Sequence, residues 1–351
     1  MRRRTFSAAL LLAASVPARA ATLRPSYAQR ADAMRLADEL AERHSLPPAW
    51  VRQAIGQARF DPQAQRLMRP APAGFVKNWA VYRGRFLDPV HIALAADFWR
   101  AHRATLARAQ EQYGVPPEIV VGILGVETLY GRNMGRFRVL DALATHAFDF
   151  PPEHPRQADR QSYFAGELAS FLRMCHAGDL PPTRPLGSYA GAMGMPQFMP
   201  SSWLRYAVDY DGDGRIDLAA SPADAIGSVA NYLQGHGWKP DMPTHHPVRL
   251  APDADLPALL APDIAPTFAP AQLAAHGATL PEGGAEHPGP LALIELLNGD
   301  PALPGNAPPS YVAGTQNFYV ITRYNQSSYY AMAVIELGQT VAALATRYHE
   351  G

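Results

Sequence analysis

The stretch from Gly122 to Gly131 reads Gly-Ile-Leu-Gly-Val-Glu-Thr-Leu-Tyr-Gly and sets one carboxylate, Glu127, inside an apolar run. Ile119, Val120, Val121, Ile123, Leu124 and Val126 precede it; Leu129 and Tyr130 follow. At helical spacing these side chains nearly surround the helix, so the rest of the chain must pack around it. A carboxyl group held among apolar side chains has its charged form disfavoured, and its pKa rises. A raised pKa lets a general acid keep its proton near neutral pH. The alternative is a Glu paired with a core Arg or capping a neighbouring segment.

The flanks punctuate this helix. Gly114 ends the element before it, Pro116-Pro117 starts it, and Gly131 and Gly135 stop it. Upstream, Ala33, Leu36, Ala37 and Leu40 predict an amphipathic helix from Tyr27 to about Ser45, broken by Pro47-Pro48 and resumed to Phe60. Asn78 to Phe86 has extended, strand-like composition, and one long helix is expected from Pro89 to Tyr113. Downstream, helices are expected over Val139–Ala147, over Ala158–His176 with Arg160 and Glu167 on a polar face and Tyr163 in its apolar stripe, and from Pro222 to about Gly235. From His245 to Thr315 charges thin out and short apolar runs alternate with turns, predicting a β-rich insert. Asn317 to Thr322 reads as a further strand. Tyr324 to Tyr330 opens a final helix, with Asn325 as one candidate cap.

At 351 residues, the length suits about two domains. Lys plus Arg and Asp plus Glu are both 31, so charge argues for neither nucleic acid nor an electrostatic membrane anchor. Arg2 to Arg4, an apolar stretch to Val16, and Pro17-Ala18-Arg19-Ala20 form an export signal with cleavage expected near Ala20. No Cys follows it, so no lipid attachment point is expected. The expectation is a soluble, periplasmic protein. Cys175 is the single cysteine, which excludes an intrachain disulfide and suits a small core residue.

Three segments carry chemistry beside Glu127. In Ser188–Pro200, Gly191 and Gly194 let the backbone approach another body closely, and Gln197 offers an amide next to Phe198. The alternative is an ordinary buried glycine loop. Asp209-Tyr-Asp-Gly-Asp-Gly-Arg-Ile-Asp217 matches the first three quarters of an EF-hand loop: Asp209, Asp211, Asp213 and Asp217 as side-chain ligands, Arg215 through its carbonyl. Ala220 stands where the closing Glu belongs, so Ser221 or Asp224 would have to substitute. A metal-free Asx turn remains the alternative. Tyr324, Asn325 and Tyr330 make either a sugar-stacking surface or a helix start with core aromatics.

These motifs in this order resemble the lytic murein transglycosylase B family, glycoside hydrolase family 103. The likeness runs through Gly114–Ile119, Gly125–Gly131, Leu140–Thr145, Tyr163–Leu168, Gly191–Ser202, Asp211–Gly214, Asp224–Tyr232 and Ile321–Asn325. It implies a mainly α (α+β) fold: a lysozyme-like helical core at 116–244 and 317–351, an N-terminal helical domain at 21–115, and a small β insert at 245–316. It implies cleavage of the β-1,4 bond between N-acetylmuramic acid and N-acetylglucosamine without water. Glu127 falls on the acid/base, and Tyr82, Arg160, Ser188, Gln197, Phe198, Tyr324, Asn325 and Tyr330 on substrate contacts. Asp159 stands where the family has a second Arg. Calcium at the Asp loop and no organic cofactor are implied. Peptidoglycan strands are the expected partner, with cell-wall synthesis or degradation proteins as further candidates.

No second carboxylate presents itself near Glu127 in sequence. A single acid/base suits substrate assistance, with the sugar's N-acetyl group and C6 hydroxyl supplying what a second carboxylate would. The alternatives are a hydrolytic muramidase and a non-catalytic murein-binding scaffold.

Overall fold

A computed structural model describes residues 26–72, 74–281, 283–300 and 306–347. The export signal expected at residues 1–20 lies outside the described residues.

The Glu127 helix spans Pro117–Thr128, with Pro in its first turn and every residue from Ile119 to Gly125 buried. It lies against the final helix, Ser328–Arg347. The two backbones nearly touch because glycines stand at the crossing. A Cβ on Gly122 would lie 2.2 Å from the Val334 carbonyl oxygen, and one on Gly338 would lie 2.0 Å from that of Glu118. Helices Pro89–Ala101, Arg103–Tyr113, Pro222–Gly235 and Gln316–Tyr324 close around this pair. Phe98, Leu106, Val229, Leu233 and Phe318 fill the shared core.

A second core joins helices Ala31–His44 and Pro48–Gln57 to Val139–Phe148 and Gln157–Ala177 through Leu40, Ile55, Leu143, Phe164 and Leu172. Cys175 is buried there, as expected. The insert has its own small core of Leu259, Leu273, Leu291 and Leu293. Its antiparallel sheet places Ser310–Gly314 between His245–Pro247 and Ala292–Leu296. The chain is thus mainly helical with a small β insert. Packing groups the segments differently from the 21–115 division. Residues 26–60 pack on the 139–177 helices, whereas residues 79–113 pack around Glu127.

Local chemistry outweighs composition at several places. Asn78 to Phe86 is not extended: the Asn78 side chain accepts the Val81 N–H at 3.0 Å and caps a short helix, Trp79–Arg83. Asn317 to Thr322 is not a strand, because Thr315 caps the helix Gln316–Tyr324 by accepting the Asn317 N–H. The expected long helix breaks at His102, whose φ of −114° and ψ of 20° leave the helical region. The final helix is capped by Ser327 and not Asn325, with Ser327 Oγ accepting the Tyr330 N–H at 3.4 Å. Glu167 is buried and not on a polar face; it accepts the Ser201 N–H and hydroxyl at 2.9 and 2.6 Å. Tyr163, read as apolar stripe, is instead 43% exposed. No helix among the described residues is long and apolar enough to cross a membrane.

Candidate active site

Glu127 is the penultimate residue of its helix. The unpaired carbonyls at a helix C-terminus disfavour negative charge. Its side chain is half-buried among apolar neighbours. Burial pushes the carboxyl up to about 7, against an opposing hydrogen bond from Tyr330. That bond runs from the Tyr330 hydroxyl to Glu127 Oε1 at 2.6 Å. Glu127 has no ion-pair partner among the described residues, so the core-Arg alternative finds no support.

The chain leaves the helix through three successive left-handed residues, Leu129, Tyr130 and Gly131, at φ of 52°, 57° and 85°. Two of these carry side chains, for which the conformation is costly. It is held by Leu129 N–H to the Gly125 carbonyl at 3.0 Å and by Tyr130 N–H to that of Leu124 at 3.1 Å. The Tyr130 ring stacks on Phe98 at 4.7 Å. Buried Thr128 donates its hydroxyl to the Met195 carbonyl at 2.8 Å and accepts the Gly131 N–H at 3.0 Å. The end of the Glu127 helix is therefore pinned to the Gly191–Pro200 loop.

That loop is a tight reversal. Met193 and Phe198 exchange backbone bonds of 2.9 and 3.0 Å, and Met195 N–H reaches the Leu218 carbonyl at 2.7 Å. Gln197 takes a positive φ of 50°. Its Nε2 donates to the carbonyls of Gly194 and Met134 at 2.9 and 3.1 Å. Oε1 has no partner among the described residues, so an acceptor is left for a ligand.

An aromatic wall faces Glu127. Tyr324 and Tyr330 lie with rings 15° from parallel and 6.4 Å apart. The Tyr324 hydroxyl donates to the Pro196 carbonyl at 2.7 Å. Phe198 is 2% exposed and packs behind Tyr324 at 5.9 Å, with Tyr232 beside it at 4.8 Å from Tyr324. Tyr82 is half-buried; burial first, and the charge of Glu127 second, raise its hydroxyl pKa. Glu127, Tyr82, Tyr324 and Tyr330 thus converge, and Gln197 follows Pro196, whose carbonyl Tyr324 holds.

The other expected contacts stand apart from this group. Ser188 Oγ accepts the N–H groups of Ala190 and Ala192 at 3.2 and 3.1 Å, shaping its own turn. Arg160 lies over the rings of Phe164 and Tyr163 at 5.1 and 5.2 Å in the second core. Asn325 is exposed at the end of the Gln316–Tyr324 helix. Sequence reading missed Thr128 and Tyr232. Thr128 carried a signal, being a hydroxyl directly after Glu127 in an apolar run. Tyr232 carried none, because its place depends on contacts far along the chain.

Replacing Tyr330 with Phe removes the bond that holds the Glu127 pKa down. With Glu127 as the acid, which must hold a proton to act, the alkaline limb of the kcat/KM profile is expected to move to higher pH in Tyr330→Phe, with kcat down about tenfold. An unmoved limb would contradict this placement.

In the acidic loop, carboxylate oxygens of Asp209, Asp211 and Asp213 lie within 4.8 Å of one another, all exposed. Three such charges repel unless a cation joins them, so the donor set fits a hard divalent ion. Asp217 does not join them; its carboxylate accepts the N–H groups of Ala219 and Ala220 at 3.0 and 2.9 Å. Arg215 keeps its guanidinium 3.4 Å from Asp213. Asp224 is buried and accepts the Tyr210 and Asp217 N–H groups at 2.7 and 2.8 Å, tying the loop ends together. Ser221 donates its hydroxyl to Asp211 at 2.6 Å, the nearer substitute for the absent closing Glu.

Residues 28–339 match the family model described as the transglycosylase SLT domain. The membrane-bound lytic murein transglycosylase B of Escherichia coli (strain K12) is 40% identical over 326 residues, spanning 90% of this chain and 84% of that protein. The solved Escherichia coli lytic transglycosylase Slt35 in complex with calcium matches with a TM-score of 0.76 and 38% identity, covering 92% of this chain and 96% of that one. SltB3 of Pseudomonas aeruginosa in complex with NAG-NAM-pentapeptide matches with a TM-score of 0.72 and 31% identity, covering 90% and 80%.

Proposed function

The chain belongs to the lytic murein transglycosylase family, and from that premise we propose that Glu127 alone serves as both acid and base. The activity itself is peptidoglycan lytic transglycosylation. The observation that carries the proposal is a carboxyl with a pKa near 7 whose hydrogen-bond partner is a tyrosine. A glycosidase using two carboxylates sets the second at about 5–9 Å from the first, whereas the side-chain hydrogen bond to Glu127 among the described residues comes from a tyrosine.

Glu127 gives its proton to the glycosidic oxygen as the bond from that oxygen to C1 of the muramyl sugar breaks. The N-acetyl carbonyl of the same sugar stabilises C1. The Glu127 carboxylate then takes the C6 hydroxyl proton while the C6 oxygen bonds to C1, closing a 1,6-anhydro ring. Both reacting groups belong to one molecule, which favours ring closure over attack by water. Tyr330 orients the carboxyl and stabilises its charged form between the two steps. Tyr324 and Tyr82 flank the sugar, and Gln197 Oε1 accepts from it. Ser188, Arg160 and Asn325, outside this group, would meet the strand beyond the reacting sugar, and Phe198 supports Tyr324 from behind. Anhydro ends resist borohydride reduction. Digests of isolated murein should therefore lack reducible muramic acid, and a reducible fraction would indicate a muramidase.

The strand is the partner that suits the site chemistry, and the export signal expected at residues 1–20 would suit action in the periplasm. At the acidic loop, Asp209, Asp211 and Asp213 with the Arg215 carbonyl would hold calcium as a structural ion. Asp217 would have to turn from the Ala219 and Ala220 N–H groups to join. Millimolar calcium should raise the melting temperature by several degrees, as ligand binding to the folded state does, and Asp213→Ala should abolish the rise. No shift in the wild-type protein would favour the metal-free turn.

A further inference from the structure

A cavity of about 310 Å3 opens beside Tyr82, floored by Phe75, Val81, Tyr82 and Tyr329 and flanked by Lys77 and Arg85. Its apolar side chains are unusually open to water: Phe75 is 67% exposed and Val81 59%. The two cations rest on the two tyrosines. Lys77 Nζ sits 5.1 Å above the Tyr329 ring, and Arg85 Cζ sits 5.9 Å from that of Tyr82. The rings of Tyr82 and Tyr329 meet edge to face at 6.0 Å. Neither cation has an acidic partner among the described residues. Tyr329 is fixed from behind, since its hydroxyl accepts the Leu297 N–H at 2.7 Å.

This cavity shares a wall with the reaction site. Tyr82 belongs to both, and Tyr329 precedes Tyr330, the partner of Glu127. A bare glycan strand is neutral and needs no cation. The peptide joined to its lactyl group carries carboxylates and small apolar side chains, and Arg85, Lys77, Phe75 and Val81 offer the complement of both. Past Lys77 and Tyr329 a second cavity of about 250 Å3 is lined by Asp263 and Glu295. Those acids repel further carboxylates and confine them to the Arg85 end.

We propose that this cavity holds the peptide stem of the murein strand bound at Glu127, with its carboxylates on Arg85 and Lys77 and its methyl groups on Phe75 and Val81. The proposal rests on Glu127 being the site of glycan cleavage. It makes Arg85 and Lys77 specificity residues, not catalytic ones.

The test compares peptide-bearing murein strands with the same strands stripped of peptide by an amidase. In the Lys77→Ala/Arg85→Ala double variant, KM for peptide-bearing strands should rise about tenfold with kcat held, the effect of losing roughly one charge-assisted contact. KM for stripped strands should change less than about twofold, within what surface substitutions do. Lys77→Arg/Arg85→Lys should bring KM back. Should the alanine pair fail to fold, Arg85→Gln is read in the same way. An equal rise on both substrates, or none on either, overturns the peptide site. Wild-type protein that cleaves neither substrate would instead overturn the Glu127 reading, and the peptide site with it.

Discussion

Glu127→Gln should lower cleavage of isolated murein by about 10³-fold, the scale of losing a general acid that also serves as base. The amide keeps the shape of the side chain and an oxygen for the Tyr330 hydroxyl to reach. It can neither release a proton to the glycosidic oxygen nor accept one from C6. The same substitution has a signature in stability. Glu127 titrates near 7 in the folded protein against an ordinary 4.5. Between those values the folded state holds a proton that the unfolded chain has released. Wild-type stability therefore falls as pH rises through that window, and the penalty is complete above it. Glu127→Gln carries no such penalty. It should exceed wild type at pH 8 by about 1–2 kcal/mol and lose that advantage near pH 4, the figure being smaller than the full shift because the half-buried carboxyl keeps some contact with water. Near-normal cleavage, or a stability gap independent of pH, would sink the assignment.

Gly122→Ala should be the most damaging small change outside the chemistry. Its Cβ would stand 2.2 Å from the Val334 carbonyl oxygen and 3.0 Å from the carbonyl carbon, and backbone cannot swing aside as a side chain can. The Glu127 helix and the final helix must separate, at a cost of about 3 kcal/mol or more. The helix propensity gained by replacing Gly with Ala, about 1 kcal/mol, is too small to offset this. Separation also moves Tyr330 away from Glu127, since each sits on one of the two helices. Activity should therefore fall even where the variant stays folded. Gly166 is the control: nothing lies within 4 Å of a Cβ there, so Gly166→Ala should stabilise by about 0.5–1 kcal/mol. Urea unfolding of the two variants decides. Equal effects would show that the helix crossing is not tight.

The Glu127 helix was legible because its burial is written locally, in an unbroken apolar run between Pro117 and Gly131. The reversal at Gly191–Pro200 was legible for a similar reason, its glycines marking turns. The Tyr330 hydrogen bond spans 203 residues, and nothing near either residue encodes it. Helices at Trp79–Arg83 and Gln316–Tyr324 were hidden because Asn78 and Thr315 decide them through caps, while the residues after each cap favour strands. In the acidic loop, spacing placed Asp209, Asp211 and Asp213 together. It could not show that Asp217 is taken up by the following turn, or that Asp224 is spent on the loop ends. Phe198, a substrate contact by resemblance, is 2% exposed and packs behind Tyr324, a placement that depends on a partner far along the chain.

Closure of the anhydro ring by the sugar's own C6 hydroxyl admits no solvent oxygen into either product. Murein digested by the wild-type protein in water enriched in ¹⁸O, with the muropeptides weighed by mass spectrometry, tests this directly. Single-residue catalysis by Glu127 predicts products that carry no ¹⁸O at the new muramyl ends. Incorporation of one ¹⁸O at C1 of those ends would mean that water is the nucleophile, and would contradict it.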